Sequence, residues 1–243
     1  MTTYVYRYTM TNDSCFAPSI TKNYLTLACC KGGIKSGSSM RESAWKKFSN
    51  GDSVWVIGVA GKKLIGKGKD KGLIEKGESL ESFWYHPVYI AKITECVQIE
   101  KYYDRSNSET KRFSAQKDWN SYKYIDGKFE SQEGVNEHHG KGKEKEREKD
   151  TLKGSHVLVS GKESFHYFGR ALFDNSIFPN NFLDKITAPF LKGPIGYKYL
   201  PPFNECDEFI GDLYKILENY PDNGWDNQGI DEEYDAYKKR VKL

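Results

Sequence analysis

Residues 207–220 are the one stretch of this chain with a clear helical stripe, and the rest reads as short extended runs between polar loops. Phe209, Ile210, Leu213, Tyr214, Ile216 and Leu217 recur at helical spacing, and Pro221 ends the pattern. Residues 3–9 alternate like a strand. Residues 25–30 form a second short extended run. The turn signal Asn50-Gly51-Asp52 precedes 54–60, the most strand-like segment. Residues 83–96 are aromatic and β-branched, with Pro87 at a strand start or an edge. Residues 157–160 and 165–169 complete the set. There is no βαβ rhythm, and no G-x-G-x-x-G follows a strand, so neither a Rossmann fold nor a P-loop is supported. The expected class is α+β: a curved, mainly antiparallel sheet or a small barrel, with helical cover and long loops.

Local signals refine this outline. Ser39 followed by Glu42 has capping-box spacing and predicts a short helix over 40–48. Asp126-Gly127 between Tyr124 and Phe129 predicts a hairpin with a type I′ turn. The Lys- and Gly-rich stretch 61–77 reads as a long loop or hairpin tip, and 11–23 and 175–199 as mostly irregular. Residues 140–150 hold five basic and four acidic side chains and no apolar one, so 134–153 is expected to be a flexible insert. One domain over 1–243 is the expected organisation.

Charge and cysteine usage limit the function classes. Lysine and arginine number 37 against 34 acids, a balance unlike a dedicated duplex-DNA coat and better matched to a nucleotide or a short single strand. The five cysteines are odd in number and include no C-x-x-C pair. They read as reduced thiols, and the expected compartment is the cytoplasm. The opening Tyr4–Tyr8 run is a strand pattern, not a targeting pattern. No apolar run approaches membrane-spanning length. Adjacent His138 and His139, with Asp150, lack further ligands at a convincing spacing, so no metal and no cofactor is expected.

The ordered set Tyr4-x-Tyr6, Asp13 to Pro18, Leu25-Thr26-Leu27-Ala28 with Cys30-Lys31, Gly51-Asp52 with Val56-Ile57-Gly58, and 157–160 with 165–169 resembles one family. It is the second type of nucleotide modification associated domain, found in bacteria and bacteriophages, and the resemblance spans roughly Tyr4 to Trp225. The resemblance implies a protein that recognises or acts on a nucleotide or a base in a nucleotide- or DNA-modification setting. By analogy it also implies a PUA-like barrel. In that family a Pro and then Ile-Arg tend to follow the Cys-Lys pair. Here Gly32-Gly33 and Ile34-Lys35 follow, so either Lys35 or Arg41 takes the arginine's place.

Several residues are candidates for the chemistry. Lys31 beside Cys30 suits a phosphate contact, and it also suits lowering the thiol's pKa to make a nucleophile. Lys35 and Arg41 flank a glycine-serine stretch whose backbone N–H groups suit an anion. Phe16, Trp119, Tyr167 and Phe168 are candidate stacking partners for a base. Asp13 and His166 are candidate general bases. The expected partner is a nucleotide or a modified base in nucleic acid. The alternatives are an enzyme acting on a nucleotide or base and a phage protein sequestering a nucleotide signal. Cys30, Asp13 and His166 carry the catalytic alternative, and Lys31, Lys35 and Arg41 the anion contacts.

Overall fold

The computed structural model of the chain describes residues 1–11, 18–28, 39–104, 106, 122–131, 151, 155–179, 181–187, 197–199, 202–204 and 207–230. In chain order the elements begin with β1 (Thr3–Met10), β2 (Ser19–Ile20), β3 (Tyr24–Leu27), α1 (Met40–Ser49), β4 (Ser53–Ala60) and α2 (Lys62–Asp70). Next come β5 (Pro87–Lys92), β6 (Glu95–Gln98), α3 (Ile99–Tyr103), β7 (Tyr122–Ile125) and β8 (Lys128–Ser131). The last are β9 (His156–Gly161), β10 (Phe165–Tyr167), α4 (Phe182–Thr187), β11 (Tyr197–Tyr199) and α5 (Glu208–Asn219).

A five-stranded sheet runs in the order β10-β5-β4-β1-β11, and a four-stranded one in the order β2-β3-β9-β6. Among the described strands only the β1–β4 pair is parallel, in register from Thr3 with Ser53 to Met10 with Ala60. The other pairings are antiparallel. The fold is therefore α+β with mainly antiparallel sheets, as expected. The barrel alternative is corrected: the described strands form open sheets, each with two edges, and none closes on itself.

The parallel pair demands a crossover, since a tight turn joins only antiparallel strands. Here the crossover contains the β2–β3 hairpin and α1. Every residue of β4 is buried, which explains its unbroken apolar run, SVWVIGVA. Helix α1 packs on both β4 and β1 of the first sheet and on β9 of the second. The Tyr6 hydroxyl meets Ser43 Oγ at 3.0 Å, tying the helix to β1. Farther along, Ser160 Oγ shares its one hydroxyl hydrogen between the carbonyls of Lys92 (2.7 Å) and Ser164 (2.8 Å), joining β9 to the end of β5. One core cluster runs from Val5 to Ile230 and includes Phe209, Leu213 and Ile216 of α5. A second lies under the β7–β8 hairpin and is built from Tyr102, Tyr103, Tyr122 and Val157.

Three sequence expectations change. The Lys/Gly stretch is not a loop over its first half but helix α2, which buries Leu64, Ile65 and Gly68. Gly68 is the close-approach point: a Cβ there would run into the Phe173 ring. Strand β2 lies in a segment read as loop, and α4 and β11 lie in one read as irregular. The insert at 134–153 falls outside the described residues apart from Thr151. No described helix is long and apolar enough to cross a membrane.

Candidate functional site

The richest arrangement of polar chemistry lies where the N-terminal half of α1 meets the start of β9. Ser39 Oγ accepts from the Glu42 amide at 2.9 Å, the cap expected from its spacing. A capping box would turn the Glu42 carboxylate back to the Ser39 amide. Instead it reaches across to β9. Ser155 Oγ donates to Glu42 Oε2 at 2.9 Å, and Lys46 Nζ lies 3.5 Å from Oε1. Burial alone would raise the Glu42 carboxyl. The Ser155 hydroxyl and amide, together with Lys46, outweigh it and hold the group below the usual carboxylate range.

Ser155 Oγ also lies 2.8 Å from His156 Nδ1. The hydroxyl has one proton, and the two acceptors compete for it. A bond to an ionised acceptor is worth about 1.5–3 kcal/mol against about 1 kcal/mol for a neutral one, so the carboxylate wins. Only a lone pair of Oγ then faces the imidazole, and Nδ1 must carry the hydrogen. In neutral His156 the free lone pair is therefore on Nε2, and among the described residues nothing hydrogen-bonds that atom. Desolvation holds His156 below the usual histidine pKa, Glu42 and Glu100 oppose the shift, and Arg41 adds to it. The ring is thus neutral at pH 7.

Two further interactions fix this corner. The Ile99 amide donates to the Ser155 carbonyl at 2.9 Å, so the start of α3 anchors Ser155. The Trp45 indole stacks on His156, with ring centroids 4.1 Å apart and planes 11° apart. Such a pair contributes about 0.5–1.5 kcal/mol beyond its buried area. Both rings are half-buried.

The sequence candidates fall into three groups. Asp13, Phe16, Cys30, Lys31, Lys35 and Trp119 lie outside the described residues, as do His138 and His139. Arg41 is at the corner, on the first turn of α1, but is 0% exposed and offers a ligand no surface. Residues 29–38, which hold Cys30, Lys31 and Lys35, leave the described chain at Ala28 and rejoin it at Ser39. β3 pairs with β9 up to Leu27 opposite Leu158, two residues from His156, so both ends of the segment are near the corner.

The third group is His166, Tyr167 and Phe168, which the structure does not bring to Arg41. β10 is two strands from β4, where α1 packs. Tyr167 and Phe168 are fully buried and present no face to solvent. His166 is 3% exposed, with its ring 4.6 Å from Phe168 and 4.7 Å from Tyr220. Desolvation pulls its pKa down to about 4, although Asp222 and the Tyr220 backbone act the other way.

Sequence reasoning missed Trp45, Glu42 as a cross-element acceptor, Ser155 and His156. The pair Ser155-His156 at the head of the apolar run 157–160 was the available signal. Cys96, the described free thiol, is no substitute for Cys30: burial and then Glu95 push it up to about 12.

A cavity of about 500 Å³ opens elsewhere, between β10 and α5. Lys92 and Lys162 line it opposite Glu163 and Glu218, so its charges cancel. Lys92 already donates to the Tyr214 hydroxyl at 2.7 Å. Among the described residues, no group of three or more His, Cys, Asp or Glu is placed to hold a metal.

A family model described as nucleotide modification associated domain 2 matches residues 2–192. The chain belongs to this family. No curated protein and no solved structure was found to match it. Arg41, Glu42, Trp45, Ser155 and His156 all lie inside the matched residues, whereas the cavity is lined partly from inside them, by Lys92, Lys162 and Phe165, and partly from beyond them, by Tyr214, Tyr220 and Pro221.

Proposed function

We propose that this protein binds a nucleotide, or a modified base in nucleic acid, at the corner of α1 and β9. The observation that carries the reading is the Trp45–His156 stack, held half-exposed beside the buried Arg41 charge and inside the family's matched region. A planar base lies over the exposed part of the Trp45 indole with its edge towards His156. Lys31 and Lys35, between Ala28 and Ser39, are the proposed phosphate contacts. The setting is nucleotide modification, as the family's description says.

The test is calorimetric titration with AMP, GMP, CMP and dTMP, and with a short single strand carrying a modified base. Stacking on one aromatic ring is worth about 1–3 kcal/mol, so Trp45→Ala is expected to weaken binding about tenfold or more while leaving the circular dichroism unchanged. Equal affinity for wild type and variant sinks the corner as the binding site.

A further inference from the structure

Resting on that reading, we infer that His156 is the group that reads the base edge. Its Nε2 accepts a hydrogen bond from a ring or amino N–H of the bound nucleobase, and Ser155 and Glu42 are the positioning residues that make it an acceptor.

The inference follows from proton counting in the chain Glu42–Ser155–His156. Ser155 donates its hydroxyl hydrogen bond to Glu42 Oε2 and turns an Oγ lone pair to Nδ1, so Nδ1 donates and Nε2 accepts. The Trp45 stack holds the ring plane, so the acceptor direction is fixed as well as its sign. The charged groups acting on the imidazole are Glu42 and Arg41 from α1 and Glu100 from α3, with Lys46 bound to the same Glu42 carboxylate. Protonation converts Nε2 from acceptor to donor. The site therefore takes a base that presents an N–H, and it rejects the form of the same base in which methyl groups leave no N–H at that position. A plain stacking platform tolerates both, because every base has a π-face.

The tightest binder among AMP, GMP, CMP and dTMP is titrated against the analogue that lacks the donor, N,N-dimethylated where the donor is an amino group and N-methylated where it is a ring N–H. Wild type is expected to prefer the unmethylated nucleotide by about tenfold at pH 7.5, the size of one hydrogen bond left unmade. Ser155→Ala, at an exposed position, abolishes that preference by freeing Nδ1 from its enforced hydrogen, and Ser155→Thr restores it. Nitrogen-15 shifts of His156 in the free wild-type protein are expected to show hydrogen on Nδ1. Hydrogen on Nε2, or equal affinity for the two ligands in wild type, overturns the inference while leaving nucleotide binding intact. If none of the four nucleotides binds wild type, the functional reading itself fails and the inference falls with it.

Discussion

At the scale of single residues, two histidines that look alike in sequence do different work. His166 sits between aromatic neighbours in a strand, and the sequence offers it as a general base. The structure buries it against Phe168 and Tyr220 and lowers its pKa to about 4. The unfolded chain then binds a proton that the folded one refuses, over the window from about pH 6.5 down to about 4. Stability is full above that window and falls through it, by about 3 kcal/mol for this one group. Urea denaturation at pH 7 and at pH 4.5 is expected to show the loss, and His166→Phe to flatten it. A variant with the wild-type slope would contradict the assignment. His156 carries no such signature in sequence. Its role depends on Glu42, more than a hundred positions earlier, and a pairing across that distance has no local periodicity to reveal it.

Elements with their own local chemistry were legible, and those that depend on a distant partner were not. The Ser39 cap, the strand β4 and the helix α5 all follow from caps and stripes within a few residues of themselves. The hairpin β7–β8 is the clearest case. Asp126 and Gly127 both take positive φ, 48° and 77°, as a type I′ turn requires. Helix α2 escaped because its two glycines give a poor local propensity. It forms because Leu64 and Ile65 have a core to enter and Gly68 admits Phe173. Ser39→Ala is expected to cost about 1 kcal/mol in chemical denaturation, the usual worth of an N-cap. An unchanged midpoint would mean that α1 is held by its packing alone.

For the whole molecule, the core does not stop where the family match does. β11 pairs with β1, and Phe203 exchanges two backbone hydrogen bonds with Thr3 (2.9 and 3.0 Å). Phe209, Ile210, Leu213 and Ile216 enter the same cluster as Val5 and Trp55. Residues 220–230 clamp β10: the Tyr167 amide donates to the Asn223 carbonyl at 2.9 Å, and Asn227 Nδ2 donates to the Tyr167 carbonyl at 2.7 Å. Gly224 takes φ 63° in this clamp, and a Cβ there would strike the Tyr167 carbonyl oxygen. A chain cut after residue 192 is expected to lose cooperative unfolding, since it exposes the apolar face that α5 covers. Retention of a sharp thermal transition would show that the matched region folds alone. The central claim is that the corner of α1 and β9 binds a nucleotide. Its most direct test is amide hydrogen exchange of the full chain with and without saturating nucleotide. Protection concentrated at 39–46 and 155–158 is the predicted result. Protection at 162–165 and 214–221 instead, or none anywhere, would contradict it.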